Sequence, residues 1–153
     1  MKALKLKIPP VAQFIAVAFG MWLVAKFTPA LLIDIPARRA LIVLFICIAG
    51  FVAIPAIAAF RAVGTTVDPR CPEQASRLVA KGVYRYSRNP MYLGLLCLLI
   101  AWALYLSNAL GFAPLPLFVF GMNYLQIQVE EQAMEAEVGE VYRDYRKWVR
   151  RWF

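Results

Sequence analysis

Residues 82–94 read Gly-Val-Tyr-Arg-Tyr-Ser-Arg-Asn-Pro-Met-Tyr-Leu-Gly. This sets Arg85 and Arg88 among Tyr84, Tyr86 and Tyr92 at the entrance of a long apolar run. Guanidinium groups hold carboxylates or phosphates through paired hydrogen bonds. Tyrosine rings stack on a planar base or face a cationic centre. Further along, Glu130 and Glu131 stand together where another apolar run ends. Such a pair counters a cationic ligand, and it equally favours the dipole of a helix starting there. Arginines and tyrosines also anchor any span at the membrane boundary. Taken singly these residues are therefore unspecific, and their combination is what points to a ligand site.

What is missing narrows the chemistry. The chain has no histidine, which excludes a Ser-His-Asp triad, a Cys-His pair, an HExxH zinc site and haem ligation by histidine. Cys47, Cys71 and Cys97 are odd in number and widely spaced; they support neither a disulfide framework nor a metal site, and read as small buried hydrophobes. No GxGxxG follows a strand pattern, so the soluble route to a nucleotide is absent.

The elements that must position these residues are membrane helices. Of the 153 residues, 62% are hydrophobic, too many for an ordinary soluble domain. Four windows approach the 20 or so apolar residues a span needs: about 11–33, 40–60, 91–107 and 109–128. The expected fold is all-α, a single membrane-embedded domain over 1–153 with about four transmembrane helices. Lys2, Lys5 and Lys7 precede a first run that is too long for a cleaved leader, so it is expected to be a retained anchor. Lys26 interrupts that run near one end, where its ammonium can reach the headgroups, and Pro29 predicts an early exit. Ser107-Asn108 joins the last two windows as a tight hairpin. Pro55, Pro114 and Pro116 predict kinks.

Charge gives the orientation. Lys2, Lys5 and Lys7 precede the first window, and Arg61, Arg70, Arg77, Lys81, Arg85 and Arg88 lie between the second and third. Arg143, Arg146, Lys147, Arg150 and Arg151 follow the fourth, whereas Arg38 and Arg39 lie between the first and second. The positive-inside rule then places both termini in the cytoplasm. The net charge of +8 reads as attraction to anionic membrane lipid. No nucleic-acid partner is expected, because the cations flank spans and no soluble binding domain accompanies them.

After Glu130 the sequence changes character. Met134, Val138, Val141, Tyr145, Trp148 and Trp152 recur at steps of four and three, which predicts an amphipathic interfacial helix. Gly139 is expected to weaken or break it.

With these residues in view, about half the chain, roughly 76–152, resembles the isoprenylcysteine carboxyl methyltransferase and phospholipid methyltransferase superfamily of integral membrane enzymes. The resemblance is carried by Leu78-Val79, the Gly82-Val83-Tyr84 turn, Arg88-Asn89-Pro90-x-Tyr92-x-Gly94, an apolar hairpin, Glu130-Glu131, Gly139-x-x-Tyr142-x-x-Tyr145 and Val149-Arg150-Arg151-Trp152. It implies S-adenosylmethionine as cofactor and a site formed by the cytoplasmic loop and the C-terminal helix. In that site Leu78, Val79, Tyr84, Asn89, Pro90, Met91, Tyr92 and Glu130 contact the cofactor, and no metal takes part. Asn89 stands where many members have histidine. Gln126 stands where the prenylcysteine enzymes carry a substrate-binding arginine, which argues against a prenylated carboxylate as acceptor.

The expected reaction is methyl transfer to a lipophilic small molecule or lipid-modified substrate at the cytoplasmic face, in a prokaryotic inner membrane. Gln126, Arg85 and Arg88 are the candidate substrate contacts. If the acceptor is an amine it must lose a proton, for which Glu131 and Tyr92 are the candidates. The alternatives are a phospholipid N-methyltransferase and a non-catalytic lipid-binding membrane protein.

Overall fold

A computed structural model describes residues 8–62 and 78–153. The lysine leader, Cys71, Arg70, Arg77 and most of the 63–81 loop lie outside the described residues.

Pro10 opens helix α1 (Pro10–Phe27), a position where its missing N–H costs nothing. The helix stops at Thr28, whose hydroxyl turns back to donate to the Val24 carbonyl at 2.6 Å; one short turn, Pro29–Leu31, follows. Helix α2 (Arg38–Ala62) runs unbroken through Pro55. At 25 residues it is about 37 Å long, more than a bilayer's hydrocarbon thickness. Helix α3 (Pro90–Leu106) again begins on a proline and ends on Ser107 in the left-handed conformation.

The next helical run extends ten residues past the expected window. A single turn, Ala109–Phe112, leads into α4 (Pro114–Met122). That continues through a π-helical turn, Asn123–Ile127, into α5 (Gln128–Val138). Pro114 and Pro116 therefore start a helix rather than kink one: they occupy the first turn, where N–H groups have no intrahelical acceptor to lose. Gly139 adopts φ 56° and ends α5, and α6 (Glu140–Trp148) begins directly after it.

Three runs, Pro10–Phe27, Arg38–Ala62 and Ala109–Val138, are long and apolar enough to cross a membrane, and α3 is a shorter apolar helix. Large apolar side chains such as Ile15, Phe19, Leu44, Phe51, Leu117 and Phe120 are exposed on their outer faces, as expected where the solvent is lipid. The inner faces meet at Met21, Leu99, Ala103, Phe118, Met122 and Ile127. Trp102 links α3 to α1 by donating to the Ala18 carbonyl at 3.0 Å. Helices α2 and α3 approach closely because Gly94 has no side chain: a Cβ there would lie 2.9 Å from the Ala53 Cβ and 3.3 Å from the Ala49 carbonyl oxygen.

One end of the bundle is closed by neutral groups. Asn108, fully buried, donates to the Thr28 carbonyl at 2.8 Å and accepts from the Gly111 N–H at 3.1 Å. The Ile33 N–H reaches the Ser107 carbonyl at 2.8 Å, and Arg38 donates to the Ser107 hydroxyl. The loops at this end thereby satisfy backbone groups that lipid could not.

Candidate functional site

The opposite end holds the sequence-predicted residues. Gly82 adopts φ 61°, a conformation that glycine reaches without strain. It starts the short turn Gly82–Arg85. That turn drives Tyr84 inward, where it packs with Val79, Ala56 and Met91 and lies 5.4 Å from the Phe60 ring. Arg85 and Tyr86 point outward and are exposed. Ser87 is buried and accepts from the Asn89 N–H at 3.1 Å, and Pro90 then begins α3 with Tyr92 in its first turn.

From the other side, α5 presents its two carboxylates to different neighbours. Glu130 accepts a hydrogen bond from the Tyr92 hydroxyl at 2.6 Å and pairs with no cation among the described residues. Glu131, 7% exposed, is gripped by two guanidinium groups. Arg88 approaches one oxygen at 2.9 Å, and Arg151 donates to both, at 3.0 and 2.6 Å. Both Glu131 oxygens thus face guanidinium nitrogens, two at Oε1 and one at Oε2.

The residues after α6 return to close this end. The Arg88 N–H donates to the Arg150 carbonyl at 3.0 Å, and the Asn89 side-chain amide donates to the Arg151 carbonyl at 2.9 Å. Trp152 donates to the Asn123 side-chain oxygen at 3.2 Å. Tyr145 donates to the Tyr84 carbonyl at 2.6 Å. Burial pushes the Tyr145 phenol up to about 12 and holds those of Tyr84 and Tyr142 still higher, so all three stay neutral.

The stripe expected along the tail keeps one face within α6, where Val141, Tyr145 and Trp148 follow at steps of four and three. Val141 and Trp148 are exposed, while Tyr142 and Val149 are buried. The positive-φ step at Gly139 separates these residues from Met134 and Val138 of α5.

The structure brings together Tyr92 with Glu130, Arg88 with Glu131, and Tyr84 with Val79 and Met91, with Leu78 and Pro90 beside them in the chain. Arg85 stays apart and pairs with no described residue. Gln126 is fully buried and donates to the Ile8 carbonyl. Two buried polar atoms have no partner among the described residues, Arg88 Nε and Gln126 Oε1. Sequence reasoning missed the functions of Ser87, Asn123, Arg151 and Trp152. Arg151 and Trp152 belong to the tail motif, which was the one signal that pointed to them.

The family model of the phospholipid methyltransferases matches residues 37–141, which include α2, α3 and the carboxylate pair. The chain belongs to the phospholipid methyltransferase family. It is accordingly an integral membrane protein of a family that transfers methyl groups to lipids, and the charged end of its helices is the candidate site. The chain is also 44% identical over 62 residues to an uncharacterized protein of Haemophilus influenzae; the match covers 40% of this chain and 98% of that relative. No solved structure matches it.

Proposed function

We propose that the protein transfers a methyl group from S-adenosylmethionine to a lipophilic acceptor at the cytoplasmic face of a prokaryotic inner membrane, in the manner of the isoprenylcysteine carboxyl methyltransferases. The observation that carries this reading is a pair of incompletely partnered groups at one end of the bundle. The buried Glu130 carboxyl has no described cation, and Arg88, paired with Glu131 through one nitrogen, keeps Nε as a buried donor with no described acceptor. The amino-acid end of S-adenosylmethionine bears an ammonium and a carboxylate beside its sulfonium, so these groups fit it.

Glu130 and Arg88 would hold that end, with Leu78, Val79, Tyr84, Asn89, Pro90 and Met91 as the surrounding wall. When bound, the cofactor supplies an electrophilic methyl on a positively charged sulfur. The chain's own contribution is alignment and exclusion of water, which accounts for much of the acceleration of a displacement. Glu131, locked between Arg88 and Arg151, positions α5 against the loop. A neutral N–H or O–H acceptor releases a proton on methylation. We assign its removal to Tyr92, which would take that proton on its oxygen as its own passes along the existing hydrogen bond to the Glu130 carboxylate.

The lipophilic acceptor approaches laterally from the bilayer. An open apolar groove of about 460 Å³ between α1 and α3, lined by Phe14, Ile15, Ala18, Phe19, Trp22 and Trp102, offers a bed for its hydrocarbon chain. Four crossings with both termini cytoplasmic would place all three dense Lys/Arg clusters on the side where the cofactor is made. Reporter fusions near Lys2 and Phe153 test this topology, and opposite locations for the two ends would refute it.

The reaction is tested by incubating purified protein with methyl-labelled S-adenosylmethionine and host lipid extract. Label is expected in a lipid-soluble product without added metal. Folded protein that binds neither S-adenosylmethionine nor S-adenosylhomocysteine in calorimetry would overturn the proposal in favour of a non-catalytic lipid-binding protein. A phospholipid N-methyltransferase uses the same chemistry, and methylated ethanolamine headgroups in the product would identify it.

A further inference from the structure

We infer that Arg61, Lys81, Arg85 and Arg150, grouped around the Tyr84 turn, bind the head groups of anionic phospholipids in the membrane that holds the bundle. These lipids are bystanders to the reaction: they sit outside the candidate site and pin the charged end at the bilayer surface.

Net charge treats every cation alike, whereas pairing separates them. Arg88 and Arg151 are committed to Glu131. On α6 each exposed cation has a carboxylate beside it: Arg143 with Glu140 at 3.7 Å, Arg146 with Glu135 at 2.9 Å and Lys147 with Asp144 at 2.8 Å. Arg61, Lys81, Arg85 and Arg150 are exposed, and none of them pairs with an acid among the described residues. Of the exposed acids on α5 and α6, Glu137 alone has no described cation. Unpaired positive charge therefore predominates here.

The four unpaired cations come from three segments that the fold brings to one place. The Phe60 ring lies 5.4 Å from that of Tyr84, which sets the next residue, Arg61, beside the turn. Lys81 precedes the Gly82–Arg85 turn and Arg85 ends it. The bond from the Arg88 N–H to the Arg150 carbonyl, at 3.0 Å, brings in the tail. Arg85 was expected to touch substrate, yet it points out of the candidate site and is free for a partner outside it.

Helix length gives the depth of this group. Arg38 and Arg61 stand near opposite ends of α2, about 35 Å apart along a helix that rises 1.5 Å per residue, against a hydrocarbon layer about 30 Å thick. With Arg38 in one headgroup layer, Arg61 and its neighbours reach the other. Tyr86, Trp148 and Phe153 lie next to or within three residues of Arg85 and Arg150 and are exposed, and such rings settle at headgroup level. Guanidinium groups there meet phosphate oxygens, to which they donate in pairs. A zwitterionic head group carries its own ammonium, which offsets its phosphate, so unpaired cations favour a lipid of net negative charge.

The test counts the lipid that stays with the protein, by native mass spectrometry, after nanodiscs of phosphatidylglycerol and phosphatidylcholine in equal parts are dissolved in mild detergent. A Lys or Arg near an anionic surface strengthens binding about fivefold, so the wild type should retain phosphatidylglycerol over phosphatidylcholine by at least that factor. The combined variant Arg61→Gln, Lys81→Gln, Arg85→Gln, Arg150→Gln should retain the two lipids about equally. Removing the paired cations instead, in Arg143→Gln, Arg146→Gln, Lys147→Gln, takes away nearly as much net charge and should leave most of the preference. Raising salt from about 0.05 to about 0.5 M shortens the screening length severalfold and should at least halve the wild-type preference, an arm that does not depend on how any variant folds.

A wild type with no preference would overturn the inference and leave the patch to an acidic protein partner. So would a preference that is indifferent to salt, one that persists in the first variant, or one lost equally in both variants, since the last would make net charge its source. Retention is read without cofactor or acceptor, so its outcome is independent of the methyl-transfer reading.

Discussion

The two ends of the helical bundle solve one problem with different chemistry. At the end formed by residues 28–38 and 107–111, Asn108, Thr28 and Ser107 form a network in which Arg38 is the one charged member. At the other end, Arg88, Arg151, Glu130 and Glu131 are charged and largely withdrawn from solvent, and the unmatched atoms Arg88 Nε and Gln126 Oε1 are found there. Neutral hydrogen bonds suffice to close a loop against lipid. Desolvated ion pairs cost several kcal/mol per ion and must be offset by close geometry, so a chain that merely needed closing would not require them. The contrast supports the proposal that the charged end is where the ligand binds.

The sharpest way to break this contrast is to remove the shared anion. Glu131→Ala leaves Arg88 and Arg151 facing each other without compensation. It should destabilise the protein by about 3–5 kcal/mol, read as a lowered midpoint in detergent thermal unfolding and as loss of cofactor binding. A change below 1 kcal/mol would mean that the clasp contributes little.

Glu130→Gln comes next and should separate binding from stability. Removing the unpaired anion weakens S-adenosylmethionine binding about ten- to a hundredfold, the loss of a charge-assisted hydrogen bond of roughly 1.5–3 kcal/mol. The unfolding midpoint should stay near wild type. If Glu131→Ala and Glu130→Gln had the same profile in both assays, the two carboxylates would not have separate functions.

At the neutral end, Asn108→Ala removes the side-chain bonds to the Thr28 carbonyl and the Gly111 N–H, each of which keeps one backbone partner. It should cost about 1–3 kcal/mol of stability while cofactor affinity in calorimetry stays unchanged. A substantial loss of affinity would show that the two ends are coupled. The smallest effect is expected from Glu135→Gln. Its partner Arg146 lies at 2.9 Å with both side chains more than a third exposed, and exposed pairs of this kind contribute about 0–1 kcal/mol. Binding should not change, which makes this the control for Glu130.

Much of this was legible in the chain. Apolar runs marked the helices, Gly139 marked the break in the tail, and the 82–94 segment with Glu130-Glu131 marked the charged end. What stayed hidden depended on partners far apart in sequence. Arg150 and Arg151 look alike, yet Arg150 contributes a backbone carbonyl and Arg151 a guanidinium. Ser107-Asn108 reads as a plain hairpin turn, and only the return of Thr28 and Ile33 shows what it holds. The π-helical turn had no local signal, since Asn123, Gln126 and their neighbours are ordinary helix residues. Pro114 and Pro116 misled because their effect depends on whether a helix has already begun.

That same turn carries one residue more than its helix needs. Its bonds close five residues apart rather than four, so a single deletion between Asn123 and Ile127 can be absorbed by return to the α-helical pattern. Glu130 and Glu131 would then still face Tyr92 and Arg88, and the half carrying Phe118 would keep its seat. The turn is thus a one-residue reserve within the helix that joins the membrane packing to the carboxylates.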